Sequence, residues 1–180
     1  RLIRLAVDKV IETTKAQRGV LLVRNVHGDF TFECARNDNG ANINKPDSEI
    51  SRTIIRSVLS SGESQILADA INDPSLSQSS SVRNLNLLSI ACAPLRADNE
   101  TLGVIYIDNR SVTALFDGNT RLLLNELSKI ISVPIRNFLS QQQLIEEQRR
   151  LKQQLEEQRG YDQIIGSSPA MLNLMTLVDQ

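Results

Sequence analysis

The sequence is poor in the side chains from which most catalytic and metal sites are built. It has one histidine, two cysteines and no tryptophan, and it contains no CxxC or HxxxH spacing. The histidine, His27, lies in the turn "HGD", where a side chain is solvated rather than held in a preorganised cleft. These absences argue against a zinc site and against hydrolysis by a Ser-His-Asp arrangement.

Charge and hydropathy exclude further classes of partner. The formal net charge is −1, so strong attraction to nucleic acid or to an anionic membrane is not expected. No apolar run reaches the length of a membrane span, and no signal peptide is visible. Cys34 and Cys92 do not form a disulfide framework, which favours a reducing cytoplasm. Arg1 already lies within a helical pattern, so we expect the natural N-terminus to be missing.

The hydrophobic periodicity predicts an α+β fold. A helix over residues 1–17 is followed by two strands, "VLLVRNV" and "FTFECAR", around a tight turn. A second helix, capped by Asp47 or Ser48, should end at Gly62, before a short third strand, "SQIL". The two most apolar stretches, "LSIACAPLR" and "TLGVIYID", should pair as a hairpin at the centre of the sheet. Adjacent hairpins make the sheet mainly antiparallel, which is not a doubly wound arrangement.

A long polar loop, "DAINDPSLSQSSSVRNLN", precedes the central hairpin and holds at most one short helix. Loops of this length are often lids or binding segments. Arg83 could clamp a carboxylate or a phosphate, or it could pair with a surface aspartate. The ligand-binding residues predicted in the loop and the hairpin are Asp69, Ser81, Arg83, Cys92, Tyr106 and Asp108.

Two of these residues have a second interpretation. Asp108 ends "VIYID" like the acidic strand of a nucleotide hydrolase, but the sequence has no GxxxxGK[ST] phosphate loop, so we expect Asp108 only to end a core strand. Cys92 is more simply explained as a small apolar side chain buried in the core. As a reactive or iron-ligating residue it would need a depressed pKa.

A helical pattern runs from Asn119 to Arg159, and Pro134 should kink or split it. In "QQQLIEEQRRLKQQLEEQR", apolar and Gln residues alternate in steps of four and three, the seam of a two-stranded coiled coil. A single solvated helix is the alternative. The predicted dimer interface consists of Ile3, Val7, Val10, Leu144, Gln148, Leu151 and Leu155.

The stretch "SVRNLNLLSIACAPLRADNETLGVIYIDNRSVTALFDGNTRLLLNELS" resembles the GAF domain, and the upstream "ISRTIIRSVLSSGESQILADAINDP" fits the same family. The resemblance covers residues 1–140. It implies a six-stranded antiparallel sheet, with helices on one side and a pocket for an unknown small molecule on the other. It also implies a parallel dimer built by the first and last helices.

Three kinds of relative match less well. Asn109–Arg110 is close to the Asn-Lys pair of cyclic-nucleotide-binding GAF domains, but Phe116 is not followed by their acidic pair. Neither cysteine has the neighbouring histidine of bilin-binding GAF domains. Two separated cysteines also argue against the GAF-fold methionine sulfoxide reductases, which use several clustered ones.

The final stretch, "YDQIIGSSPAMLNLMTLVDQ", resembles the start of the AAA+ ATPase module of sigma-54-dependent bacterial transcription activators. The resemblance implies a linker over residues 141–160, an ATPase edge over 161–180, and adenine contact by Ile164 and Ile165. Ser168 is a good N-cap, with Pro169 in the first turn of a helix. The chain lacks the phosphate loop, so it should not itself be an enzyme, whereas the full-length protein should be an ATPase.

Together the resemblances imply a cytoplasmic sensor domain that regulates transcription. It would bind a small molecule, form a homodimer, and signal to an ATPase domain in the same chain and thus to sigma-54 RNA polymerase. No certain cofactor, metal, membrane contact or direct nucleic-acid contact is expected. The alternatives are a ligand-free GAF dimerisation module, and a redox or nitric-oxide sensor that uses Cys92 or bound iron.

Overall fold

The computed structural model describes residues 2–76 and 80–166 of the chain. The described residues fall into two units, one ending at Leu139 and the other beginning at Ser140. The predicted cap at Ser168 and the helix after it lie outside the described residues. No helix in the described ranges combines the length and hydropathy needed to cross a membrane.

The core of the first unit is an antiparallel sheet with strand order β2-β1-β5-β4-β3. Its five strands are β1 Arg18–Arg24, β2 Phe30–Asn37, β3 Gln65–Leu67, β4 Ser89–Ala97 and β5 Glu100–Asn109. The predicted α+β fold and the hairpin of β4 and β5 in the middle of the sheet are confirmed. The described residues contain five strands rather than six: after β2, the chain makes only an isolated bridge between Arg36 and Asn42.

Four α-helices accompany the sheet in the described ranges: α1 Leu2–Thr14, α2 Arg52–Ser61, α3 Ser80–Asn84 and α4 Gly118–Gly166. Gly62 ends α2 as predicted, with φ 68° and its N–H bonded to the Val58 carbonyl at 2.9 Å. The predicted start of α2 was wrong. Pro46–Ser48 forms a separate 3-10 turn, and Ser51 is the residue that precedes the helix.

The two faces of the sheet are covered by different helices. Alternate residues of a strand point to opposite faces, so Ala91, Ala93 and Ile107 pack with α1 and the first part of α4. Cys92 and Tyr106 point the other way and pack with α2 and the long loop. We call the second surface the α2 face, and it carries the predicted pocket residues of the central hairpin.

Two of the predicted dimer contacts on α1 are wrong. Val7 and Val10 are 0% and 1% exposed and pack in the domain's own core, so neither side chain lies on a surface that a second chain could cover. Ile3 is half-buried beside the same core. The apolar stripe of α1 is therefore used within the domain, and Leu5 is the described apolar residue on its exposed side.

Pro134 does not split the last helix, contrary to one of the two predicted outcomes. Leu124, Ile131 and Ile135 face the core, whereas Ile130 and Pro134 lie on the exposed side. The Ile130 carbonyl, which loses its hydrogen-bond donor because proline has no N–H, can therefore be hydrated. The backbone also remains helical to Gly166, so the end predicted at Arg159 and the turn predicted after it were wrong.

Gly103 of β5 has no room for a side chain beside β1. A Cβ atom on this residue would lie 2.0 Å from the Leu22 carbonyl oxygen, which is backbone and cannot rotate away. We expect Gly103→Ala to lower the free energy of unfolding by about 3 kcal/mol, measured by urea denaturation. Gly118→Ala is the control, because its Cβ would have no neighbour within 4 Å. Equal stability of the two variants would contradict this close approach.

Candidate functional site

The structure brings together three of the predicted ligand-binding residues. Cys92 and Tyr106 are direct cross-strand partners, and Asp108 follows Tyr106 on the same face of β5. All three are 0% exposed. They therefore form part of the core beneath α2 rather than an open surface.

The three predicted residues of the long loop have other surroundings. Asp69 accepts hydrogen bonds from the backbone N–H and the side-chain amide of Asn72, at 3.3 and 2.8 Å, and so stabilises a local turn. Arg83 is exposed at the end of α3. Ser81 lies in α3, and its side chain is outside the described ones. The loop thus contributes local structure and one exposed guanidinium.

The α2 face, where the resemblance places a pocket, is filled by the domain's own side chains. The fully buried strand residues of this face are Val20, Ile90, Cys92, Val104 and Tyr106. The fully buried residues above them are Val58, Ala70 and Leu87. Because these eight side chains are fully buried, a small molecule could contact them only by displacing core side chains.

At one end of this face, Arg18 neutralises the buried carboxylate of Asp108. The two residues are direct partners on β1 and β5. Arg18 donates to Asp108 Oδ1 from Nε at 2.8 Å and from Nη2 at 2.5 Å. Burial raises the pKa of Asp108, and Arg18 and the Tyr106 hydroxyl oppose that effect. Asp108 Oδ2 is buried without a hydrogen bond of normal geometry, although Tyr106 is close enough to affect its carboxyl group.

Tyr106 ties this cluster to the start of α2. Its hydroxyl oxygen accepts a hydrogen bond from the backbone N–H of Ser51 at 3.3 Å. Burial and the neighbouring Asp108 raise its pKa well above the usual value. Tyr106 is thus a neutral link between the sheet and the segment that enters α2.

A second arginine, Arg110, lies two residues after Asp108 and contacts Glu49. Its Nη2 is 3.0 Å from Glu49 Oε2 and 3.1 Å from the Glu49 carbonyl oxygen. Arg18 Nη1 lies 3.9 Å from the same Oε2. One carboxylate oxygen therefore faces two guanidinium groups, while the Glu49 side chain remains 41% exposed.

An open cleft of about 690 Å³ borders these charges. Its walls include Arg18, Glu49, Lys45 and the amide side chains of Asn37, Asn42 and Asn44. Unlike the α2 face, this surface is open and polar. A polar small molecule can therefore reach Arg18 and Glu49 from this cleft.

The cysteines lack the surroundings of reactive thiols. Burial raises the pKa of both Cys34 and Cys92, which disfavours the thiolate. The two residues belong to the cores on opposite faces of the sheet. Within the described ranges, no three His, Cys, Asp or Glu residues converge in a way that could hold a metal ion.

Sequence reasoning missed Arg18, Glu49 and Arg110 as site residues. Their meeting depends on strand register, which the sequence does not give. Two signals were available. Asn109–Arg110 is close to the Asn-Lys pair of cyclic-nucleotide-binding GAF domains, and Arg18 stands at the head of a buried strand, where a charge needs a partner near the end of a neighbouring strand. Without the order of the strands, that partner could not be named.

Comparison with known proteins gives one family and many structural relatives. A family model described as GAF domain matches residues 1–135. No curated protein was matched. The structural relatives include the GAF domain region of a putative membrane protein from Geobacter sulfurreducens, with 14% identity over 75% of this chain and 91% of that chain, and a TM-score of 0.60.

Two further structural relatives are described as an enzyme and as a light-absorbing domain. One is a free methionine-R-sulfoxide reductase from Thermoplasma acidophilum, with 15% identity over 77% of this chain and 92% of that one, and a TM-score of 0.59. The other is the blue-light absorbing form of the PixJ GAF domain from Thermosynechococcus elongatus, with 14% identity over 80% and 88%, and a TM-score of 0.55. At these identities the likeness concerns the fold alone.

Proposed function

The chain belongs to the GAF domain family, and we propose that it is the small-molecule-sensing regulatory module of a sigma-54-dependent bacterial transcription activator. The domain dimerises through α4, and the part of α4 over residues 141–160 couples the sensor to an ATPase module that follows in the same cytoplasmic protein. The proposal combines the family with the likeness of the final stretch to the start of that ATPase module. Nucleotide contact by Ile164 and Ile165 belongs to the same proposal.

The observation that carries this proposal is the apolar surface of α4. Its first part packs against the sheet with one side and leaves Ile130, Val133 and Phe138 exposed on the other. From Ser140 onward, the predicted seam residues Leu144, Leu151 and Leu155 are 65%, 50% and 57% exposed. A second copy of the chain is the occupant we propose, because the seam spacing of four and three residues is that of a two-stranded coiled coil.

A ligand-free dimerisation module is the second candidate. It is favoured by the α2 face, where the domain's own side chains take the volume that a ligand would need. Under this alternative the dimer interface remains, and the sensor responds to no small molecule. The redox alternative has less support, because both thiols are buried with raised pKa values.

Catalysis of the sulfoxide reductase kind is also not supported. That chemistry requires a cluster of cysteines, and here Cys34 and Cys92 lie on opposite faces of the sheet. The similarity to that enzyme is therefore best explained by the shared fold.

The reading frame beyond Gln180 gives the first test of the proposed context. We expect it to encode a GxxxxGK[ST] phosphate loop shortly after the last residue. A frame that continues into an unrelated domain or stops would refute the activator assignment.

The complete protein then tests the regulatory role. Removal of residues 1–139 should change its rate of ATP hydrolysis several-fold, in either direction, because a regulatory domain alters the populations of active and inactive assemblies. The matched control is the complete protein with Gln153→Asp, which keeps the domain. Equal rates in all three proteins would contradict control of the ATPase by this domain.

A further inference from the structure

We propose that Arg18 and Arg110 form a binding site for the carboxylate or phosphate group of a small metabolite, and that the side chain of Glu49 occupies this site until the ligand displaces it. The inference rests on the proposed sensory function and names the class of ligand. It places the ligand in the open cleft rather than behind the α2 face.

Arg18 is held in a fixed orientation for this role. Two of its nitrogens, Nε and Nη2, donate to Asp108 Oδ1. The third nitrogen of Arg18, Nη1, faces Glu49, and its distance to Glu49 Oε2 is 3.9 Å. A buried carboxylate that fixes a guanidinium in this way reduces the entropy lost when an anion binds to the free nitrogen.

Arg110 supplies the second half of the site and has unused hydrogen-bonding capacity. Its Nη2 contacts Glu49, but its Nε is buried and has no hydrogen-bond acceptor among the described residues. A buried donor without an acceptor is unfavourable, because it has lost its hydrogen bonds to water and gained none in exchange. A ligand oxyanion that binds Nε and Nη2 together would satisfy this donor, because guanidinium groups bind carboxylate and phosphate through two parallel hydrogen bonds.

Glu49 has the properties of a displaceable occupant. It directly follows the short 3-10 turn Pro46–Ser48, and 41% of its side chain is exposed. It can therefore rotate toward solvent without opening the hydrophobic core. Its carboxylate also has the charge and shape of the ligand group that we propose, so both satisfy the same two arginines.

The adjoining cleft can hold the rest of the ligand. It has a volume of about 690 Å³, and its lining includes Lys45, the amides of Asn37, Asn42 and Asn44 and the carboxylate of Asp38, in addition to Arg18 and Glu49. Amide side chains both donate and accept hydrogen bonds. A compact polar metabolite therefore matches this lining better than an apolar one, and the two arginines select for an anionic end.

Displacement of Glu49 would be transmitted to α2. Glu49 lies two residues before Ser51, whose backbone N–H is bonded to the Tyr106 hydroxyl, and Arg52 begins the helix. A ligand can shift this segment only if it binds the state with Glu49 released more tightly than the other state. Competition with Glu49 provides this difference in affinity, because the Glu49 carboxylate and the anionic group of the ligand cannot occupy the two arginines at the same time.

Isothermal titration calorimetry of the 180-residue chain tests the site, with succinate and inorganic phosphate as probes. We expect Glu49→Gln to bind at least one probe about tenfold more tightly than the wild type, because the competing charge is gone. Arg110→Gln should lose this binding. Arg52→Gln is the matched control, since it removes an exposed arginine nearby that pairs with Asp47, and it should bind like the wild type.

Three results would overturn the proposal. They are the absence of saturable binding of either probe to Glu49→Gln, equal affinities of Glu49→Gln and the wild type, and unchanged binding in folded Arg110→Gln. If Arg110→Gln does not fold, Arg110→Lys takes its place, since it keeps the charge and removes Nε. Binding to a chain whose reading frame encodes no ATPase would refute the activator assignment and leave this site intact, so the two failures can be distinguished.

Discussion

Arg18→Met is expected to lower the free energy of unfolding by about 3–5 kcal/mol at pH 7, because it leaves the Asp108 carboxylate buried without its partner. Arg18 provides both hydrogen bonds to Asp108 Oδ1, and Asp108 is fully buried. Urea denaturation followed by circular dichroism would measure the change. The control is Arg24→Met, which breaks the exposed pair of Arg24 and Glu100 and should cost less than about 1 kcal/mol.

The destabilisation caused by Arg18→Met should depend on pH in a defined direction. Burial already raises the pKa of Asp108, and loss of Arg18 removes a hydrogen bond and a charge that oppose this rise. A carboxyl group with a raised folded-state pKa favours folding below its unfolded pKa of about 3.9, and this contribution is lost as pH rises through the folded pKa. The stability difference between wild type and variant should therefore shrink as pH falls from 7 toward 4. A constant difference across this range would contradict the role of the buried charge.

Leu151→Asp combined with Leu155→Asp should weaken the homodimer by at least about 100-fold. Each leucine buried in a coiled-coil seam contributes about 1.5–3 kcal/mol, and about 1.4 kcal/mol corresponds to a tenfold change in affinity. Leu151 and Leu155 are 50% and 57% exposed in the single chain and lie outside the first unit, so the substitutions should not disturb the fold of that unit. Sedimentation equilibrium over a range of concentrations would give the two dissociation constants.

The control for the dimer prediction is Gln153→Asp. Gln153 lies two residues from Leu151 and Leu155, on the opposite side of the helix from the seam. It adds an acidic residue to the same turn of helix without entering the predicted interface. Equal weakening by the control and by the double variant would indicate general charge repulsion rather than a seam.

The sequence was a good guide wherever local pattern and core burial coincide. The central hairpin was predictable because "LSIACAPLR" and "TLGVIYID" are the most apolar stretches and are joined by a short turn. The end of α2 was predictable because Gly62 can adopt the positive φ that closes a helix. These features depend on residues close together in the chain.

The errors arose where the deciding partner is distant in sequence. Val7 and Val10 have the pattern of an interface, but periodicity alone cannot distinguish a partner's surface from the domain's own sheet. Pro134 is tolerated because of which side of α4 faces water. The meeting of Arg18, Glu49 and Arg110 required the register of β1 with β5, which sequence patterns do not reveal.

Native mass spectrometry of the purified 180-residue chain is the most direct test of the account, whose central claim is a dimeric signalling module built on α4. At micromolar concentration we predict a species with twice the polypeptide mass of 20.0 kDa. A species with the mass of one polypeptide at micromolar concentration would contradict the dimer and the coupling through its helices.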